Sequence, residues 1–209
     1  MDSTVENVIV CVAIVAVVGG TLVALWMEPQ RRALRSLRKK PTAIEALGVG
    51  GAATITGEVR ALGESKATSL SGQPCVFSRI EVLHFYRRRN TDGNISEAWK
   101  PVGTEERGGS FLVEDGTGAV QVDPSGALWP RPTYERDIAW DQLTEEEEEL
   151  FSRLTRVERG MPARVRETLL FAGNPVIVHG HVGRDDATQR ATISAKGRRL
   201  LAIANAMDG

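Results

Sequence analysis

Apolar and polar residues alternate along much of this chain, most regularly around one turn. Phe111 and Val113 alternate with Leu112 and Glu114, and Val120 and Val122 alternate with Ala119, Gln121 and Asp123. A period of two on both sides of Asp115-Gly116-Thr117-Gly118 predicts a β-hairpin over residues 110–124. Asp bonds its own backbone two residues on, and Gly takes positive φ without a Cβ clash. Pro124 has no N–H to donate and ends the second strand.

The same alternation predicts further strands. Residues 54–62 place Ile55 and Val59 around Gly57, and a strand glycine marks a bend or bulge. Residues 75–88 are rich in Val, Ile, Phe and Tyr, with both faces partly apolar, as suits a barrel strand covered by another element. A turn at 90–94 containing Asp92-Gly93 leads to a return strand at 95–102 with Trp99. A charged loop is expected at 104–109 and irregular chain at 124–140. Thr144 and Glu147 have capping-box spacing, and Leu143, Leu150, Leu154 and Val157 form an apolar stripe, so a helix follows and stops at Gly160-Met161-Pro162. Residues 176–182 alternate strictly, with Val176, Val178, Gly180 and Val182 on one face and Ile177, His179 and His181 on the other. This strand can pair with the first and remove an open edge. The tail at 200–207 is apolar, strand or short helix. The expected fold is mainly β: an OB-like antiparallel β-barrel with one or two helices, preceded by a single transmembrane helix.

That transmembrane helix is residues 8–26, an uncharged apolar run of 19 residues. At ~1.5 Å per residue it is about as long as the ~30 Å hydrocarbon core is thick. Trp26 fits the interface. The segment before the run lacks the positive charge of a signal peptide, and no small-residue cleavage site stands out. Residues 31–40 hold Arg31, Arg32, Arg35, Arg38, Lys39 and Lys40 and no acid. The positive-inside rule therefore predicts a cell-membrane protein with residues 1–7 outside, a basic juxtamembrane segment at 27–40 able to hold anionic headgroups, and a cytoplasmic domain at 41–209.

Charge and candidate chemistry narrow the function classes. The formal net charge is −1, divided as +3 over residues 1–40 and −4 over the rest. A mildly acidic domain argues against electrostatic binding of nucleic acid. Cys11 lies in the apolar run and Cys75 in a strand, so a disulfide is not expected. Two isolated cysteines also exclude a Cys-rich zinc module. His179 and His181, at i and i+2, are the metal candidates. A structural zinc site needs four placed ligands, so neither a metal nor another cofactor is expected. Cys75 beside Arg79 has the pattern of an activated thiolate, against the commoner half-buried strand cysteine. No Ser/His/Asp set is indicated, and the glycines at 48–51 lack the spacing of a phosphate loop. The binding candidates are Phe85, Tyr86, Arg87, Arg88, Arg89 and Trp99, because OB-like barrels bind along a strand face and its loops.

Several stretches in order carry a family resemblance. They are Ile55-Thr56-Gly57-Glu58-Val59, Gly72-Gln73-Pro74-Cys75-Val76-Phe77, Trp99, residues 111–124, and Arg166-Glu167-Thr168-Leu169-Leu170 with Gly173, Val176, Val178 and Gly180. Over residues 41–184 the sequence resembles the GIDE domain, also called the BAM domain, of the membrane-anchored RING-type ubiquitin-ligase family and its prokaryotic relatives. In that family the zinc-binding RING carries activity, and RING cysteines are absent from these 209 residues. The resemblance therefore implies a GIDE-like module without intrinsic catalysis, whose structural residues include Gly57, Cys75, Phe111, Asp115, Gly116, Gly118 and Gly180.

The combined expectation is a membrane-anchored cytoplasmic interaction or scaffolding module with membrane lipids and an unidentified protein as partners. Alternatives are an accessory component of a ligase-like conjugation or membrane quality-control system, and an OB-type nucleic-acid binder. Impermeant thiol labelling of intact cells should reach a cysteine placed before Val8 and miss one placed after Lys40; the reverse pattern would overturn the orientation.

Overall fold

The computed structural model describes residues 28–63, 67–89, 94–155, 160–186, 188–196 and 200–206. Among these no helix is long and apolar enough to cross a membrane. The apolar run at 8–26, the turn residues 90–93 and Val157 lie outside the described residues.

Five strands close into a barrel: β1 (Ala52–Ala61), β6 (Phe111–Asp115), β7 (Gly118–Val122), β11 (Ala191–Ser194) and β10 (Pro175–Arg184), with β10 returning to β1. The closing β10–β1 pairing was expected from the alternation and runs from Ala52↔His181 to Glu58↔Pro175. The barrel is not wholly antiparallel, because β7 and β11 pair in parallel through Thr192↔Gln121 and Ile193↔Val122. The apolar tail supplies β12 (Ala202–Asn205), which pairs with β10 beyond β11. Ile55, Val59, Phe111, Val113, Val120, Val122, Val176, Val178 and Ile193 all fall inside at 0% exposure, so the period-two pattern maps onto the barrel interior.

Two glycines allow this interior to close. β1 pairs with β10 through Ala52–Glu58 and with β6 through Glu58–Ala61, so it must turn from one neighbour to the other near Gly57. A Cβ on Gly57 would lie 2.4 Å from the Glu114 carbonyl oxygen. A Cβ on Gly180 would lie 2.6 Å from Ile193 Cγ2 and 2.8 Å from Leu201 Cδ1. The 111–122 hairpin works differently from the expectation. Neither Gly116 nor Gly118 has positive φ. Asp115 makes the turn instead: Oδ1 accepts from the N–H groups of Thr117 (2.7 Å) and Gly118 (3.0 Å). Oδ2 accepts from the N–H of Ile44 (3.0 Å), which ties the hairpin to a 3₁₀ turn at Ile44–Ala46. The hydroxyl of Thr117 and these N–H groups hold the Asp115 carboxyl below its usual range.

A second sheet stands beside the barrel, in the order β5 (Ile95–Gly108), β4 (Phe77–Arg89), β9 (Ala163–Leu170) and β8 (Tyr134–Asp137). A two-stranded ribbon of β2 (Ala67–Thr68) and β3 (Pro74–Cys75) precedes it. Residues 104–108, expected as a charged loop, continue β5. Their charges are matched in place: Arg107 pairs with Glu105 (2.8 Å) and Glu146 (3.2 Å), and Glu106 with Arg79 (2.9 Å). β8 lies in the stretch expected to be irregular, joined to β9 by Arg164–Glu135 and Arg166–Glu135 pairs at 2.7 and 2.6 Å. The helix Glu145–Leu154 carries the expected capping box of Thr144 and Glu147 and ends earlier than Gly160. Its Leu150 and Phe151 pack on Ile80, Val82 and Val165 in a second core. Phe77 and Leu170, paired in register where β4 and β9 leave the barrel, belong to the barrel core. Residues 41–209 thus hold a closed barrel and a second sheet.

Gly57→Ala is expected to destabilise by about 1–3 kcal/mol or more, since a strand carbonyl cannot yield as a side chain would. Gly116→Ala, with nothing within 4 Å of the added methyl, should change stability by less than about 0.5 kcal/mol. Urea unfolding of both variants checks this pair.

Candidate functional site

β9 accompanies β4 only as far as His84, which pairs with Ala163. Beyond it, Tyr86 to Arg89 have β5 as their strand partner, through Tyr86↔Ala98, Arg87↔Glu97, Arg88↔Ser96 and Arg89↔Ile95. The hairpin therefore extends past its sheet as a two-stranded arm. An unsupported ribbon is marginal in water, so side-chain pairs across it must hold it.

Those pairs are present on both faces. On one, Phe85 and Trp99 are cross-strand partners with ring centroids 5.3 Å apart. The guanidinium of Arg164 lies 4.4 Å from the centroid of Trp99. Arg164 is fixed in turn by Asp137 and Glu135, both at 2.7 Å. These carboxylates hold the Arg164 pKa above its ordinary value, Asp137 foremost. On the other face His84 meets Tyr86 edge-on at 4.8 Å, and Lys100 Nζ lies 5.3 Å from the Tyr86 ring centroid. Arg87 pairs with Glu97 at 3.2 Å. Arg88 and Arg89 are exposed, as are Tyr86 at 43% and Ile95 at 52%.

All six binding candidates, Phe85, Tyr86, Arg87, Arg88, Arg89 and Trp99, are brought together on this arm, with Phe85 and Trp99 half-buried. Sequence reasoning missed Lys100, which the register across the 90–94 turn places opposite His84. It also missed Arg164, which no local pattern could have assigned to Trp99.

The remaining candidates separate. His181 is buried at 6% exposure and His179 is half-buried, so their strand face is covered. The cover is the helical stretch 28–36, whose Ala33 and Ser36 are buried against the barrel. The Thr54 hydroxyl donates to the Ser36 carbonyl at 3.0 Å and lies 2.9 Å from His179 Nδ1. Burial pushes the His179 pKa down, Lys39 adds to this, and the Ala53 carbonyl opposes it. Arg31, Arg32, Arg35, Arg38, Lys39 and Lys40 are all exposed, while Leu34 and Leu37 are half-buried. Between this stretch and the barrel lies a cleft of about 660 Å³. His84 belongs to the other sheet, with Nδ1 3.1 Å from the Pro162 carbonyl. Among the described residues no three His, Cys, Asp or Glu side chains are grouped to hold a metal.

Cys75 is buried at 5% exposure. Burial first, and the Glu167 carboxylate second, push its thiol pKa up, and the cation that partly offsets them is Arg107, not the expected Arg79. Glu167, itself buried, accepts from the Leu70 N–H (2.8 Å) and the Ser78 hydroxyl (3.0 Å), which ties the loop between β2 and β3 to β4 and β9. This is the environment of a structural cysteine, not of an activated one. Comparison with family models, with curated proteins and with solved structures gives no match to the chain.

In a Cys11→Ser variant, the native protein should react with a maleimide at pH 7 at least about a hundredfold more slowly than the same protein in denaturant, because the thiolate is both scarce and inaccessible. Equal rates would return Cys75 to the list of reactive groups.

Proposed function

We propose that the protein is a membrane-tethered interaction module. Its N-terminal apolar segment holds an OB-like barrel of the GIDE type at the cytoplasmic face of the cell membrane, and the barrel's companion sheet presents the β4–β5 arm to a protein partner. The arm is the observation that carries this reading. It extends beyond its own sheet, among the described residues it is braced by aromatic and cation–π pairs rather than by a third strand, and it presents Trp99 with Arg164 on one face, Tyr86 with Lys100 on the other, and the exposed Arg87, Arg88 and Arg89 beyond them. Rigid aromatics with arginines are the side chains that dominate interface energetics.

The OB-like assignment is supported by the cyclic strand order β1-β6-β7-β11-β10, with β7 and β11 parallel and the capped helix inserted between β7 and β10. Membrane attachment is supported by the exposed basic residues of 31–40 immediately after the apolar run. The partner would also decide whether the module serves a ligase-like conjugation or membrane quality-control system, which the GIDE resemblance suggests. A nucleic-acid role is disfavoured by the −4 charge of residues 41–209.

Proximity crosslinking of the full-length protein in its native membrane should capture a reproducible set of proteins that residues 1–40 alone do not. A Arg88→Glu/Arg89→Glu variant with an unchanged melting temperature should lose that set. Capture unchanged by the double substitution would remove the arm as the contact surface.

A further inference from the structure

The cleft beside the helical stretch 28–36 is lined by charged and polar groups from both the helical stretch and the barrel. Glu28 and Arg32 form one wall and are paired at 3.0 Å. His179 stands in the opposite wall, and Gly50 and Gly51 contribute backbone without side chains. Its volume of about 660 Å³ is that of a small-molecule site.

The hydrogen bonds around His179 fix what its ring offers. The Thr54 hydroxyl has one proton and donates it to the Ser36 carbonyl at 3.0 Å. Its 2.9 Å contact with His179 Nδ1 is then made by a hydrogen on Nδ1, and the Ala53 carbonyl is a second acceptor beside the ring. Nε2 is left as an acceptor. The lining therefore combines a carboxylate, a guanidinium and a neutral nitrogen acceptor. A simple anion would meet Glu28, and a simple cation would meet Arg32. A zwitterion with a protonated amine and a phosphate complements both.

Location points to the source of such a ligand. Glu28 follows the apolar run of 8–26 by two residues. On the membrane-tethered reading above, on which this inference rests, the cleft sits where the chain leaves the bilayer.

We propose that this cleft binds the headgroup of an ethanolamine phospholipid, with the ammonium on Glu28 and Nε2 of His179 and the phosphate on Arg32. A choline headgroup is disfavoured at the same site, because its quaternary nitrogen has no N–H to give to the Glu28 carboxylate or to Nε2. The exposed Arg31, Arg35, Arg38, Lys39 and Lys40 do not line the cleft, though Lys39 acts electrostatically on His179, and they attract anionic lipid without distinguishing headgroups.

The test uses the full-length chain in nanodiscs containing phosphatidylethanolamine, phosphatidylcholine and phosphatidylglycerol in equal amounts. Retained lipid is weighed by native mass spectrometry after release into detergent. The expected result is retention of phosphatidylethanolamine about tenfold over phosphatidylcholine, the discrimination of one charged hydrogen bond. Glu28→Gln should abolish this preference and Arg35→Gln should leave it intact. Equal retention of the two lipids, or a preference that survives Glu28→Gln, would overturn the proposal. Displacement of the bound lipid by millimolar free phosphoethanolamine would overturn the lipid source and assign a soluble phosphoamine. Extraction of the chain from native membranes by alkaline carbonate would instead sink the membrane reading, so the two failures are separable.

Discussion

The structure depends on one strand serving two neighbours. β1 hydrogen-bonds to β10 along its first part and to β6 along its last, and the change of partner occurs where Gly57 faces the Glu114 carbonyl without a side chain. A barrel of five strands is narrow, and a strand that closes it must coil sharply. The branched residues Ile55 and Val59 supply the apolar filling on either side, so the bend and the core are specified within five residues of sequence. Gly180 performs the complementary task on β10, leaving room for Ile193 and Leu201.

The second sheet extends from this closure. Phe77 and Leu170 pair in register as barrel-core residues, and a few positions further the same two strands carry Ile80, Val82 and Val165 into the core under the capped helix. The two cores therefore share a continuous pair of strands. The arm is the far end of that construction. Its Trp99–Arg164 contact links it, through Glu135 and Asp137, to β8 at the opposite edge of the sheet. Every strand of the second sheet thus contributes to fixing the face on which Trp99 sits.

Much of the barrel was visible in the sequence because its strands are buried on one face only, and that produces alternation. The 111–122 hairpin, the 176–182 strand and the Thr144–Glu147 cap were each read from local pattern. Three features were not. The continuation of β5 through Thr104–Gly108 is charged, and its charges are matched by Arg79, Arg153 and Glu146 from elsewhere in the chain. β8 reads Tyr-Glu-Arg-Asp and is held by cross-strand ion pairs, which have no hydrophobic period. The seating of residues 28–36 on the barrel uses Ala33 and Ser36, small residues whose close packing leaves almost no hydropathy signal. The turn at Asp115 was located correctly, but its mechanism was not: side-chain acceptors replaced the positive φ that two glycines suggested. For the candidate site the contiguous residues 85–89 and Trp99 were legible, whereas Arg164 and the cleft near His179 depend on contacts between distant segments.

Closure by β10 has a consequence for how the chain is made. Thr54 and His179, facing each other across the final seam, are 125 residues apart in sequence. Contacts of such separation form late, because a long loop must be ordered before they reward it. During synthesis β1 would emerge from the ribosome well before β10, with an unpaired edge on the side that β10 later covers. Until β10 arrives, that edge stays open to pairing with other chains. Protection of that edge during synthesis, as much as the stability of the finished fold, would then govern how much of the protein reaches its native state.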